Sequence, residues 1–235
     1  MAYLRLDRLV SNVCGLPRGK AAAFIRRGRV SVDGAVIRQA DAKADTQKSV
    51  ICLDGERLKT DDHVYIMMNK PEGVVCANEP DEKTVFDILP EKMRRKKLCC
   101  VGRLDKDTTG LLIITDDGQF VHNTANPKKG TLKRYIATLA EPLTDEAAAK
   151  LRQGVTLADG TQIEPSEVNI LSNDRLTAEI AITHGRYHQI KRMAAAVGNR
   201  VESLRRISIG NIVLDEGLAL GECRYMSDSE LKIYN

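Results

Sequence analysis

The stretch Gly102-Arg103-Leu104-Asp105-Lys106-Asp107-Thr108-Thr109-Gly110 is polar and turn-forming, and it runs directly into Leu111-Leu112-Ile113-Ile114-Thr115, which Asp116-Asp117-Gly118 closes. A short apolar run bounded by turn signals reads as a strand buried on both faces. Reactive side chains commonly sit on loops that such strands hold rigid. This loop offers a carboxylate, an arginine two positions before it, and a threonine pair able to hydrogen-bond the backbone. Taken alone, an aspartate in a Gly/Thr-rich loop is more often a turn former than a nucleophile. Its meaning depends on the rest of the chain.

Working outward, Val64–Met68 is another apolar run, and it stops at Asn69-Lys70-Pro71, where proline ends regular pairing. Tyr135–Leu139 and Leu176–Ile182 alternate with the period of a half-buried strand. Thr144 caps a predicted helix over 145–152 that closes near Gly154, and His188–Val197 reads as a helix ending at Gly198. Ser227 and Glu230 have the spacing of a capping box for a last helix. These elements predict a strand-rich α+β domain over 64–235, its central sheet mixed but mainly antiparallel, with flanking helices.

Residues 1–58 read differently. Leu6, Leu9, Val10 and Val13 make one apolar helix face. Pro17 suits the start of a second helix, whose face is Ala21, Phe24 and Ile25 and whose cap is Gly28. Arg29–Val32 and Ala35–Ile37 flank the hairpin-turn pair Asp33-Gly34. A small helix-helix-hairpin domain over 1–58 is therefore expected, joined by a polar linker at 59–63 to the larger domain.

The net charge of +4 is mild, but residues 1–38 carry Arg5, Arg8, Arg18, Lys20, Arg26, Arg27, Arg29 and Arg38 against only Asp7 and Asp33. A local excess of this size favours a phosphate backbone as partner. No apolar run approaches the roughly 18 residues that cross a bilayer, and residues 1–7 lack the apolar core of a secretory signal. A cytoplasmic protein without membrane contact is expected. The six cysteines include no C-x-x-C pair, and the four histidines form no ligand cluster, so free thiols and no metal are expected.

The central stretch, read as G-R-L-D-x-D-T-T-G-L followed by T-D-D-G, resembles the catalytic loop of pseudouridine synthases, in the Rsu-type branch that modifies small-subunit ribosomal RNA. Asn69-Lys70-Pro71-Glu72-Gly73, Lys133-Arg134-Tyr135, Gly185-Arg186-Tyr187-His188-Gln189-Ile190-Lys191-Arg192-Met193 and Leu204-Arg205-Arg206-Ile207 resemble that family's other segments, in its order. Arg134 departs from the pattern, since relatives often carry a small polar residue there, and is expected to point away from the base. The first segment, through Arg5-Leu6-Asp7-Arg8-Leu9 and Ile25–Gly34, resembles the alpha-L RNA-binding domain named after ribosomal small-subunit protein four.

The resemblance implies an isomerase that needs no cofactor, acting on a uridine of 16S ribosomal RNA, with an assembling small subunit as partner and a monomeric state. It implies Asp105 as the nucleophilic carboxylate, Lys191 as its cationic partner, Tyr135 as the aromatic on the uracil and Leu204 as pocket wall. Chemistry allows the carboxylate to attack the sugar or the base, or to assist removal of a sugar proton, and the sequence leaves these open. A uridine in folded RNA must be extruded to be reached. Arg103 is the residue expected to fill the vacated space, because a guanidinium plane stacks on bases. Arg5, Arg8, Arg18, Lys20, Arg26, Arg27, Arg29, Arg186 and Arg192 are the expected RNA contacts. Asp107, Asp116 and Asp117 are expected to shape turns, and His188 to start a helix. Three rival readings remain: a large-subunit target, a non-catalytic ribosome-assembly factor, and a phosphatase built on Asp105-Lys106-Asp107-Thr108. The last needs an apolar strand immediately before the motif, which Gly102-Arg103 interrupts.

Overall fold

A computed structural model describes residues 3–46, 48–58, 63–77, 81–95, 97–125, 130–164 and 166–234. All but His63 of the expected linker lies outside the described residues. The chain divides into two compact units. The first comprises Met1–Ile66 with Phe86–Cys99 and Ile114–Gly118, and the second comprises Met67–Val85, Cys100–Ile113 and Gln119–Asn235.

In the first unit the order is β1 (Tyr3–Arg5), α1 (Leu6–Val13), α2 (Arg18–Arg26), β2 (Val30–Val32), β3 (Ala35–Ile37), β4 (Lys43–Asp45), β5 (Ile51–Leu53) and β6 (Glu56–Arg57). The expected faces of α1 and α2 are the buried ones. Leu6, Leu9, Val10, Val13, Ala21, Phe24 and Ile25 pack with Val30, Ile51 and Leu53. Asp33 and Gly34 both take positive φ, as a tight hairpin between β2 and β3 requires. The β1–β4 ribbon was not legible in the sequence, because three-residue strands carry almost no periodic signal. In the same unit Asp116 accepts from the Val64 amide and pairs with Arg95, while Asp117 accepts from the Tyr65 hydroxyl. The bonds to Val64 and Tyr65 each span 52 positions, so the two aspartates tie distant segments of the unit together and do more than shape the turn expected of them.

The larger sheet has nine strands. They are β7 (Tyr65–Lys70), β8 (Cys99–Val101), β9 (Thr108–Thr115), β10 (Lys133–Leu139), β13 (Glu167–Ile170), β14 (Thr177–Ile182), β15 (Val201–Ile209), β16 (Ile212–Val213) and β17 (Cys223–Tyr225). The path runs β13-β14-β10-β15-β9-β7-β17, with β16 on β15 and β8 on β9. Its pairs β13–β14, β14–β10, β10–β15 and β15–β16 are antiparallel, while β15–β9 is parallel. This is the mixed, mainly antiparallel sheet expected. A small ribbon of β11 (Val155–Thr156) and β12 (Gln162–Ile163) stands apart from it.

Helices α3 (Gly118–Ala125), α4 (Asp145–Gln153), α5 (Gln189–Ala196) and α6 (Asp228–Tyr234) complete the chain. Thr144 Oγ1 accepts from the Ala147 amide at 3.1 Å and caps α4, and Gly154 follows it at φ 101°. Ser227 and Glu230 bond reciprocally at the start of α6. Several boundaries differ from expectation, since β7 runs on through Asn69 and Lys70 and β10 begins at Lys133 rather than Tyr135. Strand β9 begins at Thr108 rather than Leu111, so Thr108, Thr109 and Gly110 belong to the strand and not to the loop. Helix α3 occupies a stretch the sequence left unassigned.

Candidate active site

The register of the sheet builds the site. Strand β10 places Tyr135 opposite Arg206 of β15, and β15 places Arg206 opposite Gly110 of β9. Leu204 of β15 stands beside Thr108, the first residue of β9. Alternation along β10 turns Lys133 and Tyr135 inward. Arg134 faces the other way and pairs with Glu167 and Glu179 at 2.8 and 2.9 Å, which is the orientation expected of it.

A cavity of about 640 Å³ opens over this row. Its walls include Arg103, Leu104, Asp105, Tyr135, Leu204 and Arg206, with Tyr187, His188 and Lys191 from the start of α5. Asp105, Tyr135 and Lys191 therefore converge, as do Arg103 and Leu204. The Asp105 side chain is 32% exposed. Its carboxylate has Lys191 Nζ at 3.5 Å on one oxygen and His188 Nε2 at 3.6 Å on the other. The tighter partner of Lys191 is Asp107, at 2.6 and 2.8 Å, and this pairing holds the Asp107 carboxyl below the usual carboxylate range. One ammonium thus serves two carboxylates. Asp107 does more than shape a turn, because it anchors the cation that faces Asp105.

The loop itself hangs on a residue to which the sequence assigned no role. Lys70, at the end of β7, is fully buried. Its ammonium donates to the carbonyls of Pro71, Asp105 and Thr108 at 3.1, 3.0 and 2.9 Å, and approaches that of Lys106 at 3.4 Å. The Gly73 amide donates to Lys106 as well. Burial lowers the pKa of Lys70, although nearby Cys76, Asp107 and Asp105 oppose the shift. Four carbonyls converging on one cation fix the backbone of Asp105 independently of its side chain.

Arg206 is equally buried, at 1% exposure. Its guanidinium donates to the carbonyls of Leu111 and Gly102 at 2.8 and 2.9 Å and reaches the Tyr135 hydroxyl at 3.5 Å. A guanidinium only donates, so the Tyr135 oxygen accepts from it and the phenolic proton is left for the cavity. Lys133 donates to the carbonyls of Thr131 and Thr183, and burial together with the charge of Arg206 lowers its pKa. The Cys76 thiol is pushed below its ordinary value, first by a hydrogen bond from Cys100 and then by the Leu104 amide and the nearby Lys70 and Arg206. In sequence Lys70, Lys133 and Arg206 stand within motifs, but nothing local marks them as buried. The one available signal is a cation inside or abutting an apolar strand.

The expected RNA contacts fall into two groups. Arg5 and Arg18 are both bonded to buried Asp7, whose carboxyl they bring down to about 2. Lys20 pairs with Glu91, Arg29 with Asp54 while lying over the Phe24 ring, and Arg192 with Asp159. Arg8, Arg26, Arg27 and Arg186 are exposed and have no carboxylate partner among the described residues.

Comparison with known proteins places this geometry. The model of the RNA pseudouridylate synthase family matches residues 64–196. A ribosomal small subunit pseudouridine synthase A of Yersinia pestis is 40% identical over 97% of both chains. An RNA pseudouridine synthase of Bacillus subtilis, itself uncharacterised, is 38% identical over 99% of this chain and 98% of its own. A crystal structure of a pseudouridylate synthase superposes with a TM-score of 0.68 at 37% identity, covering 97% of this chain and 98% of that one. The strand required by the phosphatase reading is also misplaced, since the long buried strand follows Asp105 and does not precede it. By sequence along nearly its whole length and by fold, the chain belongs to the RNA pseudouridylate synthase family, in its Rsu-type branch.

Proposed function

We propose that the chain isomerises one uridine of 16S ribosomal RNA to pseudouridine, with Asp105 as the nucleophilic carboxylate. The observation that carries this reading is the convergence of Asp105, Lys191 and Tyr135 on one cavity. The small-subunit target is favoured by the names of near full-length relatives such as those of Yersinia pestis and Escherichia coli. The reaction breaks the bond from the sugar carbon to N1 of uracil and forms one to C5. C5 loses a proton and N1 ends with one, so atoms and electrons balance without an external reactant. Asp105 can share the sugar or the base in the interval, while Lys191 keeps it paired. Tyr135 presents its ring and its phenolic proton to the base, Leu204 closes the apolar side, and Arg103 occupies the gap left by the extruded uridine.

Residues 1–58 act as the RNA-binding module in this proposal. An assembling small subunit is the substrate it favours, because extruding a base costs least where pairing is incomplete. Mapping pseudouridines in ribosomal RNA from cells with and without this protein tests the target. One site lost from 16S RNA is the expected result, whereas a site lost from large-subunit RNA, or none, overturns it.

A second expectation concerns affinity. Arg8, Arg26 and Arg27 have no carboxylate partner among the described residues, so their charges are available to phosphate. Replacing all three with Gln should flatten the plot of log affinity against log salt by about 0.7–0.9 for each phosphate that is no longer neutralised. The same replacement of Arg5 and Arg18, which are held by Asp7, should flatten it less. Filter binding at several salt concentrations measures both slopes.

A further inference from the structure

Between β14 and α5 the chain puts a large aromatic ring into solvent beside the catalytic carboxylate. Tyr187 is 76% exposed, and its ring lies nearly parallel to that of His188, with centroids 3.8 Å apart and an interplanar angle of 19°. The other ring of this stack reaches toward the carboxylate, with His188 Nε2 3.6 Å from Asp105 Oδ1. The backbone there is fixed by its own conformation and one hydrogen bond. His188 takes a left-handed conformation (φ 48°, ψ 37°) that a residue with a β-carbon seldom adopts, and the Arg186 amide donates to the Gln189 side chain at 3.0 Å. Both rings line the cavity wall, next to exposed Arg186. The fold thus spends strained backbone at a loop tip to keep an aromatic face turned outward, where a core-forming tyrosine would not be.

We propose that the Tyr187–His188 stack is a platform for a nucleobase adjacent to the target uridine in the RNA strand. It rests on the pseudouridine synthase reading above. When the uridine is extruded into the cavity, its neighbour loses one stacking face, and an exposed aromatic at the cavity mouth restores it. A π face accepts any base, so the platform supplies registration and affinity without sequence readout. Arg186 beside it is placed to take the phosphate that joins the two nucleotides. RNA is favoured over a protein partner because the exposed face is continuous with the cavity and flanked by a cation with no carboxylate partner among the described residues.

The test uses the full-length protein and a ribosomal RNA fragment that it modifies, with 2-aminopurine placed in turn on each side of the modified uridine. Stacking should quench the probe on one side with the wild type and with Tyr187→Phe, and not with Tyr187→Ala. The Ala variant should lose about tenfold or more in RNA affinity and in kcat/KM, most of it in KM, while Phe restores both. Equal quenching by the Ala variant overturns the platform. So does a loss confined to kcat with unchanged affinity, which would mean that Tyr187 only positions His188 and Asp105. A defect in the Phe variant as large as that in Ala would move the role to the hydroxyl and overturn it too. Which subunit's RNA the wild type modifies bears on the target, and the quenching bears on the platform.

Discussion

Asp105→Asn is expected to abolish turnover while RNA affinity stays within about threefold of the wild type. Asparagine has nearly the same shape but carries no charge, and its amide is neither a nucleophile nor a base. Loss of at least about 10⁴ in single-turnover rate corresponds to roughly 5.5 kcal/mol of barrier. The fold should tolerate the change, because the carboxylate is partly exposed and its neighbours, the Lys191 ammonium and the His188 ring, stand at 3.5 and 3.6 Å, where even a solvated ion pair contributes about 1 kcal/mol or less. The loop should hold its path as well. Lys70 grips the Asp105 carbonyl, which the substitution leaves untouched. A rate within a hundredfold of the wild type, with the variant folded, would remove Asp105 from the role of nucleophile.

What the sequence made legible, and what it did not, divides along a physical line. The Asp105 loop, the alternation that turns Tyr135 inward and the first turn of α5, which carries Lys191, are local patterns, readable in windows of fewer than a dozen residues. The partners that make those residues work are separated by many positions. Lys70 meets the carbonyls of 105 and 108, Lys191 meets Asp107, and Arg206 meets Gly102, Leu111 and Tyr135. None of these pairings leaves a periodic trace. Those of Lys70 and Arg206 arise because β7, β9, β10 and β15 are brought side by side, which strand order and register dictate, and that of Lys191 because α5 lies against the loop at Asp107. The same applies to charge. Counting cations in residues 1–38 could not reveal that Asp7 holds two of them, Arg5 and Arg18.

Three buried cations adjoin the site, Lys133 and Arg206 in the cavity wall and Lys70 on the carbonyls of the Asp105 loop, and their hydrogen bonds go to carbonyls and one phenol. Burying charge is costly unless hydrogen bonds replace lost water, and carbonyls provide that replacement without cancelling the charge. Lys133 and Arg206 line the cavity together with Arg103, Arg186 and Lys191, against the single carboxylate of Asp105, and such a cationic excess suits a polyanionic ligand. Carboxylate partners would have cancelled these charges at the cost of burying a second ion and would have repelled the phosphates of RNA. The choice of partner is where the packing of this domain and its function meet.

Among the glycines whose surroundings are described, Gly110→Ala is expected to be the most damaging change. Gly110 pairs with Arg206 across the one parallel step described in the sheet, at φ +99°. A β-carbon there would stand 2.2 Å from the Arg206 carbonyl oxygen and 2.9 Å from its amide nitrogen. Both are backbone atoms, so no rotamer change relieves the clash and the strands must part. An unfavourable φ costs roughly 1–3 kcal/mol and overpacking a further 1–3. At about 2–4 °C per kcal/mol for a domain of this size, Tm should fall by about 10 °C. Two other glycines separate the causes. Gly73→Ala meets nothing within 4 Å at φ +85° and should show only the conformational part, while Gly118→Ala meets nothing and has an ordinary φ, so it should be nearly neutral. Turnover should fall further than stability alone requires, because parting β9 from β15 shifts Arg206, and with it the Tyr135 hydroxyl and the Gly102 carbonyl at the root of the Asp105 loop. Calorimetry with single-turnover assays below the lowered Tm measures both effects. A Gly110→Ala protein that melts with Gly118→Ala would show that the motif glycine answers to the chemistry of the loop and not to the closeness of two strands.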